Sequence, residues 1–357
     1  MTNDPRDLSG ARLQNALHLL GKNPTIRAEI IALLKKVEAQ IEHPDASVRD
    51  DITGPIIDAL HQDTDQYEKT LADGTRFQFL FRTKIARDFM LSDNLHPDHV
   101  WEPQTTRLML NLAAKQSGDV IIGGAYFGDQ AILVAKKIAE RGGVLHGFEP
   151  NLEQATMFEN NAKINNLSNV RAQRLGLWSE SSVKLKLDGF DSFANAVQAS
   201  SADEGFQTIS IDDYRQQNSL KVGLIELDIE GAELAALKGA KKTLTQDQPA
   251  IVFEVHRSYV DWSNGLENTE LCLYLKGLGY HIYALRDFNS HREMQGKKIE
   301  LIPADKVYLD GPPHGFNMVA VVDDGLFKTD EYRIVEHVSP KLLAHKDPAL
   351  HHPMEGL

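Results

Sequence analysis

The chain is poor in cysteine, in basic charge and in long apolar runs, and each shortage excludes something. Cys272 is the only cysteine among 357 residues, so no intrachain disulfide can form. Its setting in Leu271-Cys-Leu-Tyr-Leu275 suits an apolar helix face rather than a nucleophile. A reducing compartment is expected. Lys and Arg number 38 against 51 Asp and Glu, a net charge of −13, which argues against a broad nucleic-acid face and against binding to an anionic membrane surface. No run approaches the roughly 18 apolar residues of a membrane span, and no apolar signal segment follows Met1-Thr-Asn-Asp-Pro-Arg-Asp7. A cytoplasmic protein is expected, in which the sequon Asn166-Leu-Ser168 carries no glycan. Apolar and charged fractions of 42% and 25% are ordinary for a globular protein, and the length suits one large domain with additions or two domains.

What is present is concentrated between Ser117 and Pro150. Val120-Ile-Ile122 is a β-branched run suited to a buried parallel strand, Gly123 to Gly128 is a turn with glycine at its ends, and Ala131 to Ala139 has helical spacing. A second strand, Val144 to Phe148, ends in Glu149, 21 residues after Gly128. An acid at that place can accept both hydroxyls of a ribose lying over the glycine turn, and Pro150 stops the strand where a crevice opens. The unit predicts a nucleoside-binding βαβ start.

Before it, residues 1 to about 65 predict three helical stretches: Ala11 to Leu20, Pro24 to Ile41 with Asn23 as N-cap, and Val48 to Leu60 interrupted at Gly54-Pro55. Thr70 to Phe81 reads as a hairpin about Asp73-Gly74, and Thr105 to Ala114 as a helix leading to the first strand. After it, the pattern predicts a helix over Asn151 to Asn161 and a strand over Val170 to Leu175. Edge strands follow at Val183 to Leu187 and Phe206 to Ile211, about a surface loop at Asn195 to Ser201. A strand over Val222 to Leu227, one helix over Gly231 to Leu244, a strand over Ala250 to Val255 and a helix over Glu267 to Leu278 come next. Two further strands, Tyr280 to Leu285 and Phe316 to Val322, are separated by a polar excursion. The alternation implies an α/β fold, a doubly wound, mainly parallel sheet with a C-terminal antiparallel hairpin and an N-terminal helical extension. His337, His345, His351 and His352 in the tail lack metal-ligand spacing, so a solvated or docked tail is expected.

In such a sheet the ligand lies beyond the carboxyl ends of the strands. Asp228 and Glu230 bracket the end of the fourth core strand, and Glu254 and His256 stand two apart on the fifth, so each pair can point to one side. Several acids and an imidazole would share one crevice, unless Asp228 or Glu230 merely caps the helix near Gly231 and His256 is a satisfied rim residue. Acids buried together need a cation, a proton or a ligand.

Leu224-Ile-Glu-Leu-Asp-Ile-Glu-Gly-Ala-Glu-Leu-Ala-Ala-Leu-Lys-Gly-Ala240 resembles the FkbM family of S-adenosylmethionine-dependent methyltransferases. Gly124-Ala-Tyr-Phe-Gly-Asp129, Phe148-Glu-Pro-Asn151, Ser210-Ile-Asp-Asp-Tyr214 and Pro249 to His256 support the match. The resemblance covers roughly Trp101 to Phe327. It implies a class I, Rossmann-like methyltransferase domain over 101–327, after an extension and hairpin over 1–100 and before a tail over 328–357. It further implies that Gly123, Gly124, Ala125 and Gly128 admit the methionine end of the cofactor, that Glu149 holds the ribose, and that Gly176 and Leu177 lie near the adenine. The family commonly has Asp at the place of Ile122, for which Glu102 or Asp129 can substitute near the cofactor's ammonium, and Lys at the place of Glu226. The implied reaction is methyl transfer to a hydroxyl of a carbohydrate or secondary metabolite. Either Asp228 or His256, with Glu230 beside them, takes the hydroxyl proton, or a divalent cation such as magnesium on Asp228, Glu254 and His256 acidifies it. Tyr259 and Trp262 can stack on the acceptor, or one can pack under its loop. The expected partners are a small-molecule or glycan acceptor and, as an open alternative, a second copy in a homodimer. The competing readings are an NAD(P)-dependent oxidoreductase, with Ala125 at the second glycine of a dinucleotide fingerprint, and an inactive interaction protein of the same fold.

Overall fold

A computed structural model describes residues 10–43, 46–62, 64–92, 101–188, 195–198, 205–290, 292, 294, 296–309 and 315–353. Helices α1 (Gly10–Gly21) and α2 (Pro24–Gln40) meet at Asn23, whose side chain accepts from the N–H groups of Thr25 and Ile26. A π-helical turn, Val48–Thr53, passes into α3 (Gly54–Ala59) at Gly54-Pro55. The expected hairpin forms from β1 (Gln66–Thr70) and β2 (Arg76–Leu80). It is followed by α4 (Lys84–Leu91), outside the sequence expectation, whose Phe89 packs against Phe77, Phe79 and Phe127 at ring separations of 5.1, 5.5 and 5.3 Å.

Strand and helix then alternate: α5 (Pro103–Lys115), β3 (Asp119–Gly123), α6 (Ala131–Ala139), β4 (Leu145–Phe148), α7 (Leu152–Ile164) and β5 (Val170–Gln173). Four short strands, β6 (Gly176–Leu177), β7 (Lys184–Asp188), β8 (Asn195–Gln198) and β9 (Phe206–Ile209), precede α8 (Ile211–Asn218) and β10 (Val222–Leu227). Then come α9 (Glu233–Lys238), α10 (Lys241–Gln246), β11 (Ala250–Val255), α11 (Glu270–Gly277), β12 (His281–Leu285), β13 (Ile299–Pro303), β14 (Phe316–Val321), β15 (Tyr332–Ile334) and α12 (Pro348–His351). No helix among the described residues is long and apolar enough to cross a membrane.

Nine strands form the main sheet in the order β15-β13-β12-β14-β11-β10-β3-β4-β5. The run from β11 to β5 is parallel throughout, and β14 and β12 add the antiparallel part. Alternate residues of the parallel strands serve opposite faces. Val120, Leu224 and Val252 join the core that holds α5 and α6, while Ile121, Ile225 and Phe253 join the one that holds α9 and α11. The result is a Rossmann-like α/β sheet whose parallel half carries its carboxyl ends toward one edge.

Four local expectations are corrected. Asn195–Gln198 is a strand paired with β7, because backbone hydrogen bonding to a neighbour overrides weak β propensity; residues 199–201 lie outside the described residues. The single helix over Gly231 to Leu244 is two. A Cβ at Gly239 would meet the Trp178 carbonyl oxygen at 2.3 Å, so the chain passes close there, and the Asp212 carboxylate accepts from Lys242 and Thr243 N–H to start α10 afresh. Residues from Ile211 are helical because Ser210 caps α8, accepting from Asp213 N–H. The polar excursion contains β13, whose Ile299, Leu301 and Ile302 are buried.

The tail is docked. Arg286, 0% exposed, donates to the Ser339, Leu350 and His352 carbonyls at 3.0, 3.1 and 2.7 Å and pairs with Glu300. Removing that cation leaves Glu300 buried and three carbonyls short of donors, a loss of about 3–5 kcal/mol. Arg286→Met is therefore expected to lower the urea midpoint and to open Lys341 and Lys346 to trypsin; an unchanged midpoint with unchanged cleavage would refute the clasp.

Candidate active site

The glycine turn begins where β3 ends. Gly124 has φ +80°, and a Cβ there would lie 1.8 Å from the Asp228 carbonyl oxygen at the end of β10, so only glycine fits between these two backbones. The N–H groups of Gly124 and Ala125 both donate to the Phe148 carbonyl at 3.0 Å, which draws the turn onto the end of β4. Immediately beyond stands Glu149. Its carboxylate accepts from Tyr126 N–H at 3.0 Å and from Asn151 N–H at 2.9 Å, so two backbone donors fix its orientation.

Glu149 lines a cavity at the carboxyl edge of the parallel strands. Toward β5 the wall is apolar, built from Phe148, Leu175, Leu177, Leu185 and Phe206. Toward β10 it is acidic, with Glu102, Asp129, Glu226, Asp228 and Glu230. No lysine or arginine lines it among the described residues. Burial, reinforced by Asp129 and Glu102, pushes the Glu226 carboxyl well above its ordinary range. Burial and Glu254 do the same to Asp228 and push Glu230 up to about 8. Glu102 is pushed up to about 8 by burial and by Asp287, and Asp129 to about 6 by burial.

Elements distant in sequence hold this end in place. Glu102 stands at the head of α5 with φ 43°, and three bonds that cap that helix come from Asp287, which also takes the N–H of its neighbour Phe288. The Asp287 carboxylate accepts from Gln104 N–H at 3.0 Å, from Thr105 N–H and hydroxyl at 2.7 and 2.8 Å, and from Phe288 N–H at 2.8 Å. The Asn317 amide on β14 donates to Glu102 at 2.7 Å. Lys341, from the tail, is buried and donates to Asn289; burial pulls its ammonium down to about 8 against the attraction of Glu102 and Glu254.

Of the cofactor positions named from sequence, Glu102, Gly124, Ala125, Asp129, Glu149, Gly176 and Leu177 line the cavity. Gly123 lies behind it, packed on Leu177 and Leu227, and Gly128 seats the start of α6 against Phe158. Asp228 and Glu230 line it too, whereas Glu254, His256, Tyr259 and Trp262 stand outside the lining. His256 turns Nδ1 to Ser258, and Trp262 packs on Phe316 at 5.8 Å. Tyr259 lies over Gly231 and donates its hydroxyl to Glu254. Oxygens of Asp228, Glu230 and Glu254 lie within 4.8 Å of one another, a spacing into which a divalent ion would fit; His256 is not part of that group. The helix cap is neither Asp228 nor Glu230: Glu233 reaches back to Ile229 and Gly231 N–H, both at 3.0 Å. Sequence reasoning passed over Glu233, Asn317 and Lys341. Only Glu226 gave a signal, as a charge inside the apolar run Leu224 to Leu227 of a strand covered on both faces.

Residues 123–282 match the family model of the methyltransferase FkbM domain. No curated protein sequence matches the chain. Among solved structures, methyltransferase FkbM from Methylobacillus flagellatus KT is similar at 15% identity and a TM-score of 0.35, covering 57% of this chain and 43% of that one. Precorrin-6y C5,15-methyltransferase from Geobacter metallireducens GS-15 shares 16% identity at a TM-score of 0.34, covering 61% and 87%. The chain thus spans less than half the length of the Methylobacillus protein.

The raised carboxyls bind more protons folded than unfolded, so the stability they contribute is complete at low pH and lost as pH rises through the folded pKa. For Glu233, Glu230 and Glu102 that loss runs through about 7 and about 8. His61 and His146, held low by burial, act oppositely but finish near their unfolded value of about 6.5, and Lys341 acts oppositely chiefly above 8. The melting temperature is expected to fall by several degrees between pH 6.5 and 8; a flat or rising trend would mean that these groups are ionised throughout.

Proposed function

We propose, from the match of residues 123–282 to the methyltransferase FkbM domain, that the chain transfers the methyl group of S-adenosylmethionine to a hydroxyl of a carbohydrate or secondary metabolite. One observation carries the reading. The cavity is apolar at one end and acidic at the other, with Glu149 fixed between them by two backbone donors. That is the complement of a nucleoside with an aromatic base, a ribose and a cationic far end. The close approach of backbones at Gly124, where no Cβ fits, supplies the matching absence of bulk. Glu149 would hold the ribose hydroxyls, Leu177 and Phe206 would cover the base, and the acids toward β10 would face the positive end.

The bound cofactor supplies a methyl group already activated on a sulfonium. The chain has to align the acceptor oxygen and take its proton as the new bond forms. Asp228 lines the cavity at the end of the core strand β10 and, when ionised, receives that proton on a carboxylate oxygen. Glu254 and Glu230, crowded beside it, favour the protonated product. A second reading rests on the spacing of Asp228, Glu230 and Glu254: a divalent ion there would acidify the hydroxyl instead.

Calorimetry is expected to show binding of S-adenosylmethionine and none of NAD or NADP, with Glu149→Ala weakening it at least tenfold, about 1.4 kcal/mol. Binding of NAD or NADP in its place would refute the proposal. With an acceptor in hand, Asp228→Asn should lower kcat by about 10²–10⁴ while leaving cofactor affinity within a few-fold. Loss of turnover in EDTA, restored by magnesium, would favour the metal over the direct base.

A further inference from the structure

Glu226 is the acid of the cavity that stands inside a core strand rather than at a strand end or in a turn. It lies on β10, level with Ile122 on β3 and Val252 on β11, and is 5% exposed. Of its neighbours on the lining, Glu102 takes the Asn317 amide and Asp129 the Gln130 N–H, while Asp228 and Glu230, at the strand end, share its want of a donor among the described residues. Among the described residues none donates to Glu226, and the charges nearest to it are the like charges of Asp129, Glu102, Glu233 and Glu254. A carboxyl kept inside a sheet, facing a cavity and surrounded by acids, is costly unless a cation meets it there.

The sheet says where such a cation would come from. In the order β10-β3-β4-β5, Glu226 lies two strands from Glu149 and on the side away from the apolar wall, a span of about 10 Å at ordinary strand spacing. A ligand with its base against Leu177 and Phe206 and its ribose on Glu149 has its remaining atoms directed over the glycine turn toward Glu226. Resting on the methyltransferase reading, we propose that Glu226 is the anchor for the α-ammonium group at the methionine end of the cofactor. Glu226 is thus a cofactor-binding residue, reached from the interior strand β10 rather than from the glycine turn, and it selects ligands that carry the amino-acid end over those that stop at the thioether.

The test compares two ligands that share the nucleoside. S-adenosylhomocysteine carries the ammonium and no sulfonium; 5′-methylthioadenosine carries neither. Titration calorimetry of the full chain is expected to show Glu226→Gln weakening S-adenosylhomocysteine by about tenfold or more, as for loss of a buried charge partner, while 5′-methylthioadenosine stays within about twofold of wild type. Equal weakening of both ligands would make Glu226 a general support of the cavity and overturn the inference, as would no weakening of either. Should the Gln variant melt below the assay temperature, Glu226→Asp keeps the charge and shortens its reach, and the same selective loss is expected. Wild-type protein that binds neither ligand would overturn the methyltransferase reading together with this inference. Wild-type binding with an unchanged variant overturns the inference alone.

Discussion

Like charges crowded at one edge of a sheet are the constraint on which the rest of this structure depends. Glu102, Asp129, Glu149, Glu226, Asp228 and Glu230 line a single cavity, and Glu254 and Glu233 stand close behind. Two ionised carboxylates about 4 Å apart repel by about 4 kcal/mol at an effective dielectric near 20, so the set cannot be fully charged without compensation. The chain compensates piece by piece. Backbone N–H groups meet Glu149 and Glu233, the Tyr259 hydroxyl meets Glu254, an amide from β14 meets Glu102, and protons remain on others. Two of those partners, Tyr259 and Asn317, come from after residue 250.

That is why the segments beyond the parallel strands are not decoration. The antiparallel strands β12 and β14 bring Asp287 and Asn317 to the head of α5, and with them they fix Glu102. Arg286 ties the tail down across the same corner, and the tail delivers Lys341 among Glu102, Glu254 and Asp287. The helix that leads into the first core strand is thus capped by a residue 183 positions away in sequence. A carboxylate at a helix N-terminus is favoured by the helix dipole as well as by its hydrogen bonds, so one group both closes the fold and shapes the cavity.

The parallel half of the sheet was legible because its signals are local and periodic. Val222 to Leu227 and Ala250 to Val255 are strands over the bounds their apolar runs predict, and Glu149 follows β4 beside the glycine turn, where it takes the Tyr126 N–H. Glu149, Asp228 and Glu230 were legible as strand ends. What could not be read depended on distant partners. Asn195–Gln198 has no strand pattern of its own and pairs because β7 is there. Gly239 looks like a tolerated glycine in an alanine-rich helix until the Trp178 carbonyl is found against it. Lys341 sits in a tail with no periodic signal, and its burial follows from Arg286, a residue whose own role needs three carbonyls from that tail. His256 shows the converse: spacing put it beside the acids, and a turn to Ser258 took its ring nitrogen elsewhere.

The atom that Gly124 meets is a main-chain oxygen and not a side chain. A tight fit between two side chains can be relaxed by trimming one when the other grows, and such pairs drift together over evolutionary time. No replacement at position 228 moves its carbonyl, since every amino acid brings the same one. Position 124 should therefore stay glycine across homologues without any second position that varies in step with it, so that covariation would be blind to the closest approach in the site.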